Sequence, residues 1–188
     1  MKLIALILAI AVAVGYLLGG RLSQLSELHV RYAPIALIGL LLQVVNPPGR
    51  WPFALLIVSF VLLVAFTVAN LRTAGFALIL VGVFLNLAVI ALNGGMPVAR
   101  DALLASDQTD TLMPLVREQG AKHHLARFDD RLLFLGDVIP VPAPLRQAIS
   151  IGDLFTYGGV ALVVVATMRR RVRPVPLPSV PEASGVQI

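Results

Sequence analysis

Apolar residues fall along this chain in five runs. They are Leu3 to Leu18, Tyr32 to Val45, Trp51 to Asn70, Thr73 to Leu92 and Ile151 to Met168. A hydrocarbon layer roughly 30 Å thick takes about 20 apolar residues in helical form, and four of the five runs come close to that. The second covers only about 21 Å at 1.5 Å per residue, so it must extend back through His29, thin the bilayer or stay re-entrant. The pattern predicts an all-α transmembrane fold. Its bundle has about five membrane-spanning helices, near residues 3–19, 30–46, 51–70, 73–92 and 151–168, with an outer segment, 93–150, between the last two.

Polar and small positions inside the runs give each helix an inward side. At 100° per residue, Gly75, Gly82, Asn86 and Asn93 share one face of the fourth run, a face that suits protein better than lipid. The same projection groups Tyr32, Gly39, Gln43 and Asn46 on the second run, and Asp153, Thr156, Tyr157 and Thr167 on the fifth. The first run offers Gly15 and Gly19, small residues that let helices approach closely. Gln43, Asn46, Asn86, Asn93, Asp153 and Tyr157 all fall toward the outer end. They serve either interhelical hydrogen bonds or an outward-open polar cavity.

Composition agrees with the runs. The chain has 188 residues, a length that suits one domain, but 58% of them are hydrophobic and the mean hydropathy is +0.89; soluble proteins do not reach these values. The net charge of +5 and a pI near 10.4 would suggest nucleic acid in a soluble protein. Here the charge sits beside apolar runs, and no nucleic-acid partner is expected. Arg169, Arg170, Arg171 and Arg173 directly follow the last run, where they suit anionic lipid headgroups. With the C-terminus cytoplasmic and 93–150 extracytoplasmic, Arg21, Arg31, Arg72 and the tail arginines lie inside, satisfying the positive-inside rule. A cleaved signal peptide over residues 1–20 is the rival reading, but it would export the arginine tail. Residues 1–171 then form the bundle unit. The stretch 172–188 is proline-rich and is predicted to be a disordered cytoplasmic tail.

There are no cysteines, which removes disulfides and thiolate metal sites. No glycine-rich phosphate loop, haem site or iron-sulfur pattern occurs, so no cofactor is called for. The His123-His124 pair near Asp129-Asp130 could offer nitrogen and oxygen ligands, but adjacent histidines rarely chelate one ion, and a solvated loop without metal is the expectation. Asn93-Gly94-Gly95-Met96-Pro97 ends the fourth helix and turns the chain. The outer segment is too long for a bare connector and is expected to pack over the bundle mouth. Between Gly136 and Pro144 three prolines exclude a regular helix, and a lipid-skimming or re-entrant turn is expected. Ser150-Ile151-Gly152-Asp153 has the form of a helix capping box. Asp153 either caps or, as a carboxylate at the membrane edge, works with Asp137 across the proline-fixed turn.

Taken in order, Asn93-Gly94-Gly95-Met96-Pro97, Lys122-His123, Leu135-Gly136-Asp137 with Pro140 and Pro142, and Ser150-Ile151-Gly152-Asp153 resemble an uncharacterised family of small bacterial multi-pass membrane proteins, a domain of unknown function. The likeness extends to about Arg171. It implies a bacterial plasma-membrane protein and supplies no activity. A fainter likeness is to the lipoprotein signal peptidases, membrane aspartic proteases. It would make Asp137 and Asp153 the catalytic pair, one activating water and one protonating the leaving amine. This chain departs from that family: Asp153 follows Ile-Gly where an Asn-x-Ala-Asp pattern is required, and the span count differs.

The reading that follows is a multi-pass membrane protein with an outward-facing pocket for a small or lipid-like ligand. Gln43, Asn86, Asn93, Lys122, His123 and Tyr157 are the candidate binding residues. A membrane-embedded aspartate hydrolase and an accessory or assembly subunit of a membrane complex stay open as alternatives.

Overall fold

The computed structural model describes residues 2–48, 51–118 and 122–170. The predicted disordered tail, 172–188, and with it Arg173, lies outside the described residues, as does Arg171.

Most of the chain is helical. Three helices are long and apolar enough to cross a membrane: α3 (Trp51–Ala69), α4 (Phe76–Asn93) and α7 (Ile151–Met168), the numbers following chain order. The apolar helices α1 (Lys2–Leu17) and α2 (Ala33–Val44) are shorter, at 16 and 12 residues. Helix α2 does not extend back through His29. Its first turn holds Pro34, which fits there because proline has no N–H to lose. Tyr32, immediately before it, takes a left-handed conformation at φ 58, and Leu22–Glu27 form a separate 3-10 helix. At the other end Pro47 and Pro48 prevent continuation.

Neighbouring helices run in the order α2, α3, α4, α7, α1. The α4–α7 contact is a seam of glycines. Gly75 and Gly82 on α4 face Gly159 and Gly152 on α7, with seven residues, or two turns, between the glycines of each helix. A β carbon on Gly152 would lie 2.7 Å from the Gly82 carbonyl oxygen, and one on Gly159 would lie 2.7 Å from that of Gly75. Only glycine permits backbones this close. At the far end of α7, Gly15 and Gly20 lie against Met168, whereas Gly19 faces open space and takes no part in the expected small-residue pair. Tyr32, expected on an inward stripe, is exposed. A core of Leu56, Phe60, Val83, Val89 and Ile90 joins α3 to α4, while Leu37, Leu41, Val61, Phe84 and Leu162 remain exposed on the outer faces.

The segment after α4 is not purely helical. It contains α5 (Arg100–Ala105), α6 (Thr109–Glu118) and four three-residue strands: β1 (Met96–Val98), β2 (His123–Leu125), β3 (Ile139–Val141) and β4 (Gln147–Ile149). Strands β1 and β2 pair in parallel, Met96 opposite His123. Strands β3 and β4 form an antiparallel hairpin, so the proline stretch expected as a lipid-skimming or re-entrant turn is instead one arm and the turn of that hairpin.

One end of each shorter helix is bonded to the end of a longer one, and the other end lies against the segment between α4 and α7. Lys2 shares a pocket with Gln108, Asp110 and Arg146 of the outer segment, and Arg21 N donates to Met168 O at 2.9 Å. The Arg31 backbone is held by Asn70 at the end of α3, and Lys122 Nζ donates to the Gln43 and Val45 carbonyls at 2.7 and 2.6 Å. A cation on the last carbonyls of α2 also complements the helix dipole.

Candidate functional site

Strand β1 is the centre of a small platform. On one edge Met96 N donates to Lys122 O and Ala126 N to Val98 O, both at 2.8 Å. On the other, Asp137 N donates to Pro97 O at 3.0 Å and Ala99 N to Asp137 O at 3.1 Å. A β carbon at Gly136 would lie 2.6 Å from the Pro97 carbonyl oxygen, so this edge closes only with glycine. Three stretches far apart in sequence, 93–97, 122–123 and 135–137, thus meet at one place.

The Asp137 side chain faces a cavity of about 310 Å³. His123, Gln147, Gln108 and Thr111 supply its other polar walls, and Leu103 and Leu115 from α5 and α6 line it with apolar surface. Asp137 is only 9% exposed. Burial, and then the charge of Asp153, push its carboxyl up to about 8, because a carboxylate out of water and near a like charge is costly. Near neutral pH Asp137 therefore holds a proton and can donate a hydrogen bond. Beside it, Gln147 Oε1 is buried with no hydrogen-bond partner among the described residues. The cavity is accordingly lined by a buried acid, two glutamines and apolar side chains.

Asp153, whose charge reaches Asp137, His123 and Tyr157, makes its hydrogen bonds in an adjoining cluster. Ser150 Oγ accepts from Asp153 N at 2.9 Å and Asp153 Oδ2 accepts from Ser150 N at 3.1 Å, completing the capping box of α7. Across the glycine seam, Asn86 Nδ2 donates to Asp153 Oδ1 and Ser150 Oγ donates to Asn86 Oδ1, each at 2.9 Å. Both carboxylate oxygens are thus engaged, and no hydrogen bond joins Asp153 to Asp137 among the described residues. Tyr157 sits one turn further along α7, partly buried.

The remaining predicted site residues are dispersed. Gln43 Nε2 donates to Ser59 Oγ of α3 at 2.9 Å, Asn93 clips the Arg131 backbone, and Lys122 caps α2. Of the eight residues singled out from sequence, Asp137 and His123 share the cavity, and Asn86 and Asp153 share the cap. The cavity therefore lies within the folded segment between α4 and α7, whereas Gln43, Asn86 and Asn93 are bonded to neighbouring protein groups.

The sequence pattern placed His124 and Asp130 in a solvated loop, and the structure corrects this. Both are buried, His124 Nε2 lies 3.0 Å from Asp130 Oδ1, and Asp130 Oδ2 accepts from Arg127 N at 2.7 Å. The pair fixes the turn after β2. Among the described residues no three His, Cys, Asp or Glu side chains gather as a metal site. Gln108 and Gln147 were missed, since nothing in local pattern marks a glutamine that will face a cavity.

A family of unknown function, DUF5317, matches residues 21–165. The chain belongs to this family. The matched stretch includes the platform, the cavity and the α7 cap. An uncharacterised protein of Thermotoga maritima is 31% identical over 131 residues, which is 68% of this chain and 73% of that protein. No solved structure matches.

Proposed function

We propose that this protein is a multi-pass component of the bacterial plasma membrane whose extracytoplasmic cap, residues 93–150, binds a small amphipathic or lipid-like ligand in the Asp137 cavity. One observation carries the reading: a buried acid whose pKa is raised to about 8 lines a cavity of about 310 Å³ together with His123, Gln108, Gln147 and apolar side chains. Such an acid costs stability unless something uses it. A ligand with one acceptor for Asp137, on an apolar body fitting Val98 and Leu115, would meet that acid.

Five spans are supported by the bonds from the end of α1 to α7 and from both ends of α2 to Asn70 and Lys122, with Lys2 of α1 beside Gln108 and Arg146. The N-terminus and the cap then lie outside, and the arginine tail lies in the cytoplasm. Neither the hydrolase nor the accessory-subunit alternative has an observation of its own in its favour.

The test is retention. Protein purified in mild detergent is extracted and its bound small molecules are identified by mass spectrometry, beside Leu103→Trp, which fills the cavity. A molecule enriched on the native protein and lost from a folded Leu103→Trp variant supports the reading; identical extracts from both would end it.

A further inference from the structure

At the end of the bundle opposite the cap, the α1–α7 seam opens into a second cavity, of about 470 Å³. Its walls include Arg21 and Gln24 from the chain after α1, and Arg169 and Arg170 from the end of α7. The chain after α1 is drawn onto α7 by the bond from Arg21 N to Met168 O, 2.9 Å, and Gly20 permits it, since a β carbon there would lie 2.8 Å from that same carbonyl oxygen. Three guanidiniums from two separate segments are thereby gathered. Among the described residues none of them has a carboxylate partner.

The same seam continues toward the middle of the bundle as an apolar groove of about 250 Å³, lined by Ile7, Ile10 and Val14 on one side and Ala161, Leu162 and Val165 on the other. Val14 and Val165 stand one helical turn from Leu18 and Arg169, which line the basic cavity. An anion-binding chamber therefore opens at the end of a groove suited to hydrocarbon.

We infer that the α1–α7 seam is a binding site for one anionic glycerophospholipid, with its phosphate held by Arg21, Arg169 and Arg170 and one acyl chain lying in the groove. Guanidinium matches phosphate with paired, charge-assisted hydrogen bonds, and basic pockets between membrane helices recognise headgroups in this way. Charge distribution agrees. Among the described residues, segments 18–31, 71–75 and 169–170 at this end carry five arginines and only one acid, Glu27. The inference rests on the membrane reading given above and makes the inner leaflet the source of the lipid.

The experiment uses the full chain in nonionic micelles, titrated with phosphatidylglycerol, with phosphatidylcholine and with inorganic phosphate, binding being read by native mass spectrometry. Phosphatidylglycerol should bind at least tenfold more tightly than phosphatidylcholine. Arg169→Gln/Arg170→Gln should abolish that preference, and Arg169→Lys/Arg170→Lys should restore part of it. Ala161→Phe, which fills the groove, should weaken phosphatidylglycerol binding without changing that of inorganic phosphate. Equal binding of the two lipids, or full phosphatidylglycerol binding by the arginine-to-glutamine variant, overturns the site. Inorganic phosphate competing fully at millimolar concentration, with Ala161→Phe silent, marks a free-anion site and overturns the lipid. Micelles have no sides, so these outcomes are independent of whether the tail proves cytoplasmic in cells.

Discussion

Asn70 and Asn93 close α3 and α4 with the same three hydrogen bonds. Asn70 Nδ2 donates to Phe66 O at 2.8 Å and to Arg31 O at 2.9 Å, while its Oδ1 accepts from Arg31 N at 2.8 Å. Asn93 Nδ2 donates to Val89 O at 3.0 Å and to Arg131 O at 2.8 Å, while its Oδ1 accepts from Arg131 N at 2.7 Å. Each amide donates to the carbonyl four residues back in its own last turn and clips the backbone of a distant arginine as a neighbouring strand would. One clip lies at each end of the bundle.

Asparagine is required at both places because an aspartate can accept but cannot donate. Asn70→Asp and Asn93→Asp should each destabilise the protein by about 2 kcal/mol, the scale of leaving buried polar groups unmet. Asn70, being the more buried, should show the larger loss. Unfolding by denaturing detergent measures both, and a loss under about 0.5 kcal/mol at Asn70 would contradict the role assigned to the clip.

The glycine seam leads to a second expectation. Gly152→Ala or Gly159→Ala places a methyl group where a backbone carbonyl of α4 already lies, so the helices must part, at a cost of about 1–3 kcal/mol. Gly158→Ala, one position from Gly159 but facing open space, should be neutral or slightly stabilising through helix propensity. The contrast between neighbouring glycines is the measurement; equal effects would mean that helix propensity and not the seam governs.

Asp137 gives stability a pH dependence of defined sign. Its folded pKa, about 8, lies above the ordinary value of 3.8, so the folded state holds the proton more tightly than the unfolded one. Its contribution is complete below about pH 4, declines between about pH 4 and pH 8, and is gone above that. Asp137→Asn keeps the shape and removes the charge. The variant should match the native protein near pH 4 and exceed it in melting temperature at pH 8.5. A difference that is constant across this range would dissociate Asp137 from the titration.

The absence of cysteine from the chain makes sidedness directly measurable. Phe128 in the cap is fully exposed, and Phe128→Cys should react with a membrane-impermeant maleimide in intact cells. Arg170→Cys should react only after lysis. Labelling of position 170 in intact cells would reverse the proposed orientation.

What the sequence determined by itself is what local periodicity and short spacing encode. Five apolar runs became five apolar helices, the face bearing Gly75, Gly82 and Asn86 became the α4–α7 contact, and Ser150 with Asp153 formed the expected cap, because each depends on residues within a few turns of one another. Tertiary structure decided the rest. The outer segment, read as short helices and a proline turn, acquired strands because β1 found β2 well over 20 residues away, and the cavity formed inside that segment and not among the polar residues of the bundle. Asn93 reaches Arg131, 38 residues on, and Lys122 reaches Gln43, 79 residues back. Every backbone carbonyl is an equivalent acceptor in the sequence, and only the folded chain selects which one a given amide or ammonium will meet.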